Sequence, residues 1–267
     1  MSWNDYKAGD LPGLERCGGA AVAAALTWLD ARHGAAVAAA IDAMLFEGLR
    51  AAERQKLADL DAATRLAIRN NATEWLLAEG RIEVAGVQQA VAACLLGADG
   101  PPLAAAERRW IEQMARRPVR LYEVADVLPD GRIALFDLLD AASAPCVVAA
   151  DALAAPLPPG SRVGLRLLDL DGQATPSGAV YAFAAAGGDS VAAQLREAAE
   201  QFRGRDDLAH FQGVLIRYCW LAQCHAAGAA ARRTCGCGHG KSGRPGAHAL
   251  AGDEIEQALA AALAPKQ

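Results

Sequence analysis

The sequence predicts an α+β fold: a helical N-terminal region, a small antiparallel β sheet or barrel, and a helical C-terminal region. Three observations predict it. From Pro12 to about Arg117 apolar residues recur at three- and four-residue spacing, the period of a helix with one buried face. Short alternating segments then take over, punctuated by Pro129-Asp130-Gly131 and Asp171-Gly172, and run to Ala186. The helical period returns after Gly187-Gly188. The expected segments are therefore 1–117, 118–186 and 187–267, the last holding a Cys-, Gly- and Arg-rich loop at 229–247.

Composition supports the helical part. Of 267 residues 53% are apolar, much of that alanine, whereas the aromatics are 5 Phe, 5 Trp and 4 Tyr. A core built on Leu, Val and Ala suits closely packed helices. The expected N-terminal helices are Ala21–Leu29, Val37–Leu49, Glu53–Ile68 and Thr73–Ala78, with Asn70-Asn71 and Gly80 as stops. Asp99-Gly100-Pro101-Pro102 is a strong break, and a helix from Ala104 to Ala115 follows it. Short loops between such helices suggest an antiparallel bundle or layered array.

In the middle segment Arg120–Leu128 and Arg132–Leu139 flank a tight-turn signature, since Gly or Asp takes the positive φ such a turn needs. A second hairpin is expected from Arg162–Leu170 and Ala179–Phe183, turning near Asp171-Gly172, with Cys146–Val148 as a short strand between the two. The proline-rich stretch Ala155–Gly160 is a connection inside this module. Helices are then expected at Val191–Phe202, Leu208–Ala227 and Asp253–Ala264, the last with Asp253 near its N-cap.

The formal net charge of −5 hides an asymmetry: Leu208–Gly252 contains no Asp or Glu and carries +5, from Arg217, Arg232, Arg233, Lys241 and Arg244, so the remainder carries −10. A uniformly nucleic-acid-gripping surface is excluded, and a basic segment attached to an acidic body is expected. Met1–Asp10 has no basic n-region, and the apolar run Gly18–Leu29 is too short to span a bilayer, so a cytoplasmic location without a membrane partner is expected. Seven Cys, four of them between Cys219 and Cys237, favour metal ligation or free thiols over a disulfide framework in a reducing compartment.

The most informative stretch runs from Arg232 to His248. Cys235 and Cys237, one residue apart among glycines, can form half of a tetrahedral zinc site, because thiolates are soft ligands and glycine permits the tight turn between them. The order Cys235-x-Cys237-Gly238-x-Gly240-Lys241 resembles the opening of the SEC-C motif, a small zinc-binding element at the C-terminus of the SecA translocation ATPase and in many uncharacterised bacterial proteins. The resemblance covers about 14 residues and implies a zinc cofactor and docking on a protein or ribonucleoprotein partner. In that family a Cys-Cys or Cys-His pair follows after eight residues. Here that place holds Gly246-Ala247, with His248 one residue further on, so His248 or His239 would be the third ligand and Cys224, His225 or Cys219 the fourth. Glu107–Glu112 followed by Arg117–Val124 is similar to a helix-to-hairpin junction in related bacterial proteins; there Trp110 is expected to pack helix on sheet, with Arg116, Arg117 and Arg120 solvated or paired with acidic neighbours.

Catalytic signatures are not found. The Gly236–Ser242 run has one residue too few between its glycines for a phosphate loop and no strand before it. H-E-x-x-H, G-x-S-x-G and the dinucleotide fingerprint do not occur. Cys224 and His225 are adjacent on a helix and point about 100° apart, and His33 and His210 stand alone in sequence. The reading is a non-enzymatic interaction protein with Arg232, Arg233, Lys241 and Arg244 as partner-binding residues. The alternatives are nucleic-acid binding through the same residues and an enzyme of unrecognised type.

Overall fold

The computed structural model describes residues 11–46, 60–140, 142–149, 153 and 157–234. The chain clusters into two units, Met1–Arg232 and Arg233–Gln267, and the packing below belongs to the first. The fold class is α+β, as the sequence predicts, with seven helices among the described residues.

Helix α1 (Pro12–Gly18) opens with proline in its first turn, where a missing amide costs nothing. Helix α2 (Ala20–Phe46) is one helix where the sequence suggests two, bent at His33 (φ −136°, ψ 19°). No proline stands between Leu29 and Val37 to remove an amide, so the chain kinks and continues. Helix α3 (Ala62–Glu79) is capped by Asp61, whose carboxylate accepts the Thr64 amide at 2.9 Å and the Thr64 hydroxyl at 2.6 Å.

The expected stop at Asn70-Asn71 is corrected by the structure: both residues are buried inside α3. Asn71 donates to the Val180 carbonyl at 2.9 Å and accepts the Val180 amide at 3.2 Å, so its amide group completes the backbone bonding of a distant segment. The helix ends at Gly80, as expected. A hairpin that the sequence analysis does not include follows, β1 (Arg81–Val84) against β2 (Val87–Ala90), turning through Ala85 and Gly86 at φ 52° and 79°. After α4 (Val91–Leu96) comes α5 (Ala105–Arg116), whose Glu107 carboxylate accepts the Ala104 amide at 2.7 Å. Buried Trp110 lies against Gly18 of α1, and the helix that carries it also packs against the strand Leu167–Leu170.

The β module begins with β3 (Arg120–Val127) and β4 (Arg132–Asp137), the expected first hairpin. With β5 (Cys146–Ala149), β6 (Arg162–Leu165) and β9 (Tyr181–Phe183) they form an antiparallel sheet in the order β5-β4-β3-β6-β9. The turn at Asp171-Gly172 is where it was expected, but it joins β7 (Leu167–Leu170) to β8 (Gln173–Pro176), not to Ala179–Phe183. That last segment pairs with β6, the first part of Arg162–Leu170, as the sequence predicts. One face of the sheet carries Tyr122, Val124, Ile133, Leu135, Val163 and Leu165, against which Leu167 of β7 and Ala174 of β8 pack.

Helix α6 (Ala185–Gln201) starts before Gly187-Gly188, which the sequence analysis places outside it. A Cβ at Gly188 would lie 2.3 Å from the Arg162 Cβ, so glycine here lets the helix sit directly on β6. Helix α7 (Leu208–Thr234) continues past Ala229, the start of the expected loop. Asp253–Ala264 and the rest of that loop lie outside the described residues.

A buried charge network ties these layers together. Arg166, the single residue between β6 and β7, is 1% exposed and donates to Glu74 at 2.5 Å, to Glu79 at 2.6 Å and to the Met114 and Arg117 carbonyls. Glu74 also accepts the Ser177 hydroxyl at 3.2 Å and the Tyr181 hydroxyl at 3.0 Å. Glu79 is met by Arg217 of α7 at 2.8 Å and by His210 at 3.5 Å, so His210, isolated in sequence, has an acidic neighbour in space.

Candidate binding cleft

Strand β6 runs through Arg166 into β7, and the β7–β8 hairpin turns back so that β8 lies beside β5. No ladder joins β5 to β8, because they belong to separate sheets. The β7–β8 hairpin therefore packs on the five-stranded sheet as a separate two-stranded sheet, and a cleft of about 500 Å³ is lined by residues of both. Its floor is Tyr122 and Leu135, its sides Leu167 and Ala174, and its rim charged.

Register explains why charge gathers there. Tyr122 faces Asp137 across β3 and β4, and Arg120, two residues before Tyr122, falls on the same face. The Arg120 guanidinium donates to the Asp137 carboxylate at 2.5 Å, and the other Asp137 oxygen accepts the Leu139 amide at 2.9 Å. Arg117 approaches Asp169 of β7 at 3.5 Å. These arginines are thus paired with acidic neighbours, as expected from sequence. Asp140 and Ser143 complete the rim, and Ser143 donates to the Asp140 carbonyl at 2.9 Å.

Protonation follows from burial and from these pairs. Burial raises the Tyr122 hydroxyl, Asp137 adds to the shift, and the phenol stays neutral at physiological pH. Burial alone would weaken the Arg120 proton, but the hydrogen bond and charge of Asp137 outweigh it and hold the guanidinium charged. Burial also pushes up the Cys146 thiol at the cleft wall, so it is not an activated nucleophile.

The metal-ligand candidates are distributed unevenly. Cys235, Cys237, His239 and His248 lie outside the described residues, as do Lys241 and Arg244. Arg232 and Arg233 fall in the last turn of α7. Cys224 is buried in α7, and burial raises its thiol to about 12, while the Cys219 thiol is pushed up to about 11. Neither is poised as a thiolate. Among the described residues no three His, Cys, Asp or Glu side chains converge as a metal site. No helix among them is long and apolar enough to cross a membrane.

The cleft was not legible from sequence because its residues come from β3, β4, β5, β7 and β8. The local signal was Arg117-x-x-Arg120-x-Tyr122, three polar-tipped residues entering a strand otherwise apolar on that face. No protein-family model, curated protein or solved structure matches this chain.

Proposed function

We propose that this chain is a non-enzymatic cytoplasmic interaction protein: a helical frame that presents the β module and a basic, Cys-rich C-terminal segment to a protein or ribonucleoprotein partner. The observation that carries this reading is the state of the cleft. Its guanidiniums are neutralised in pairs by Asp137 and Asp169, and its thiol and phenol are held protonated. Such a recess, with its arginines paired and its thiol and phenol protonated, is suited to holding a group by charge and hydrogen bonding. By its resemblance to the SEC-C motif, the segment carrying Cys235 and Cys237 would bind zinc, with His248 or His239 and Cys224 as further ligands.

Direct nucleic-acid binding through Arg232, Arg233, Lys241 and Arg244 is the second reading, favoured by the acid-free window that holds them. It is weaker because Tyr122, Tyr181 and Phe183 are buried, leaving Phe136 as the exposed ring among the four aromatics on these strands. Bases would find few stacking platforms there.

The test combines metal content with association. Elemental analysis of the purified protein should find zinc, lost in the Cys235→Ser, Cys237→Ser double variant. Changing Arg232, Arg233, Lys241 and Arg244 to Gln should abolish salt-sensitive association with an acidic protein or ribonucleoprotein. Retention of the same partners by the neutralised variant would move the interaction surface away from this segment.

A further inference from the structure

We propose that the side-chain amides of Asn71 and Gln223 stand in for a sixth strand and close the β9 edge of the five-stranded sheet against pairing with a second copy of this chain. Two independent observations carry it. The first is hydrogen bonding. In an antiparallel strand the backbone groups of alternate residues point to the same side. On β9 the side away from β6 belongs to Val180, Ala182 and Ala184, and side chains of α3 and α7 reach all three. Asn71 of α3 donates to the Val180 carbonyl at 2.9 Å and accepts the Val180 amide at 3.2 Å. Gln223 of α7 donates to the Ala182 carbonyl at 3.1 Å and accepts the Ala184 amide at 3.1 Å. A carboxamide offers the same acceptor and donor as a peptide group, so the two side chains take the places that an added strand's peptide groups would fill.

The second is the sequence of the edge. Exposed edge strands are ordinarily guarded by a lysine, a proline or a bulge. Here no charged residue occurs between Asp171 and Asp189, and the run Ala179–Ala184 places Val, Tyr and Phe in an uncharged segment without proline. Ala182 and Ala184 are exposed, so their own side chains shield nothing. The opposite edge of the sheet is covered differently, because β8 lies beside β5. The two amides are thus the protection that β9 has.

A second copy is the occupant that an unsealed edge fits. Run antiparallel about a two-fold axis, it places Ala182 opposite its own counterpart and Val180 opposite Ala184, so one set of three residues satisfies itself. The uncharged window brings no like charges together across that axis. The seal is a property of the sheet and stands apart from whatever the C-terminal segment binds.

The test removes the amide from Gln223, which is half-buried, in the full chain. Gln223→Leu should accelerate hydrogen exchange of the Ala184 amide about tenfold, the loss of one hydrogen bond, and make the weight-average mass in sedimentation equilibrium rise with protein concentration. Two further variants read the edge itself. Adding Ala182→Lys to Gln223→Leu puts a charge on an exposed edge position and should return the mass to that of the parent. Gln223→Glu keeps an acceptor for the Ala184 amide and sets a negative charge beside the edge, so its mass should follow the parent at neutral pH. Faster Ala184 exchange without any change in mass would overturn the proposal, because the opened edge would then not pair. Unchanged exchange would deny the bond, and association that survives Ala182→Lys would place the contact on another surface; either result overturns it. Association accompanied by a loss of several degrees in melting temperature would also overturn it, by tracing the contact to unfolded chain.

Discussion

Arg166 shows what one buried charge demands of its surroundings. Its guanidinium spends its donors on two carboxylates and two carbonyls drawn from α3, α5 and the turn after it, and Glu79 needs Arg217 as well. In this network every buried charge has an opposite neighbour, even Glu79 Oε2, which has ion pairs but no hydrogen bond, and removing one partner leaves a buried charge without compensation. Arg166→Met should therefore lose about 3–5 kcal/mol in urea denaturation, and adding Glu74→Gln should recover part of that loss. A destabilisation below about 1 kcal/mol would mean that the carboxylates find water in its place. Glu79 extends the argument to pH. Burial pushes its carboxyl up, but Arg217 and Arg166 outweigh burial and hold it below its ordinary value of 4.5. A carboxylate lowered on folding contributes stability above its unfolded pKa, and that contribution is lost as pH falls through the folded one. Urea midpoints taken from about pH 6 down to about pH 3 should fall, and the fall should be shallower in Glu79→Gln, which starts lower at pH 6.

At the scale of elements, the contact between α6 and β6 turns on Gly188. A methyl group there would meet the root of the Arg162 side chain, which cannot swing aside, whereas one at Gly187 would approach the tip of Gln223 at 3.1 Å. Gly188→Ala should cost about 1–3 kcal/mol by overpacking and lower the melting temperature by several degrees, while Gly187→Ala should change stability by less than about 1 kcal/mol. Equal effects at the two positions would show that helix propensity, not packing, decides. The same pair explains what sequence could and could not reveal. Gly187-Gly188 reads as a break because local propensity says so, and tertiary packing overrides it. Asn70-Asn71 misleads in the same way, since an asparagine that completes another segment's backbone bonds is indistinguishable in sequence from a cap. The β3–β4 hairpin and the Asp171-Gly172 turn were legible because positive φ selects its own residues. The pairing of β9 with β6 was legible as part of the expected association of Arg162–Leu170 with Ala179–Phe183, whereas the break at Arg166 that sets off the β7–β8 hairpin was not, because a lone buried arginine carries no turn signature.

Across the whole molecule the deciding feature is charge segregation: +5 in an acid-free window and −10 in the rest. The basic segment then selects an anionic partner, and a salt titration reads that selection. Single-stranded RNA used as an anionic probe should contact only the basic segment, since the body repels it. Each cation that neutralises a phosphate contributes about 0.7 to the slope of log affinity against log salt. Changing Arg232, Arg233, Lys241 and Arg244 to Gln should therefore flatten that slope by up to about 3 while the melting temperature stays within about 2 °C of the parent. An unchanged RNA slope would place the phosphate contacts on another surface. A loss of several degrees in melting temperature would instead make the four residues part of the folded body, and the charge they carry would then serve stability before recognition.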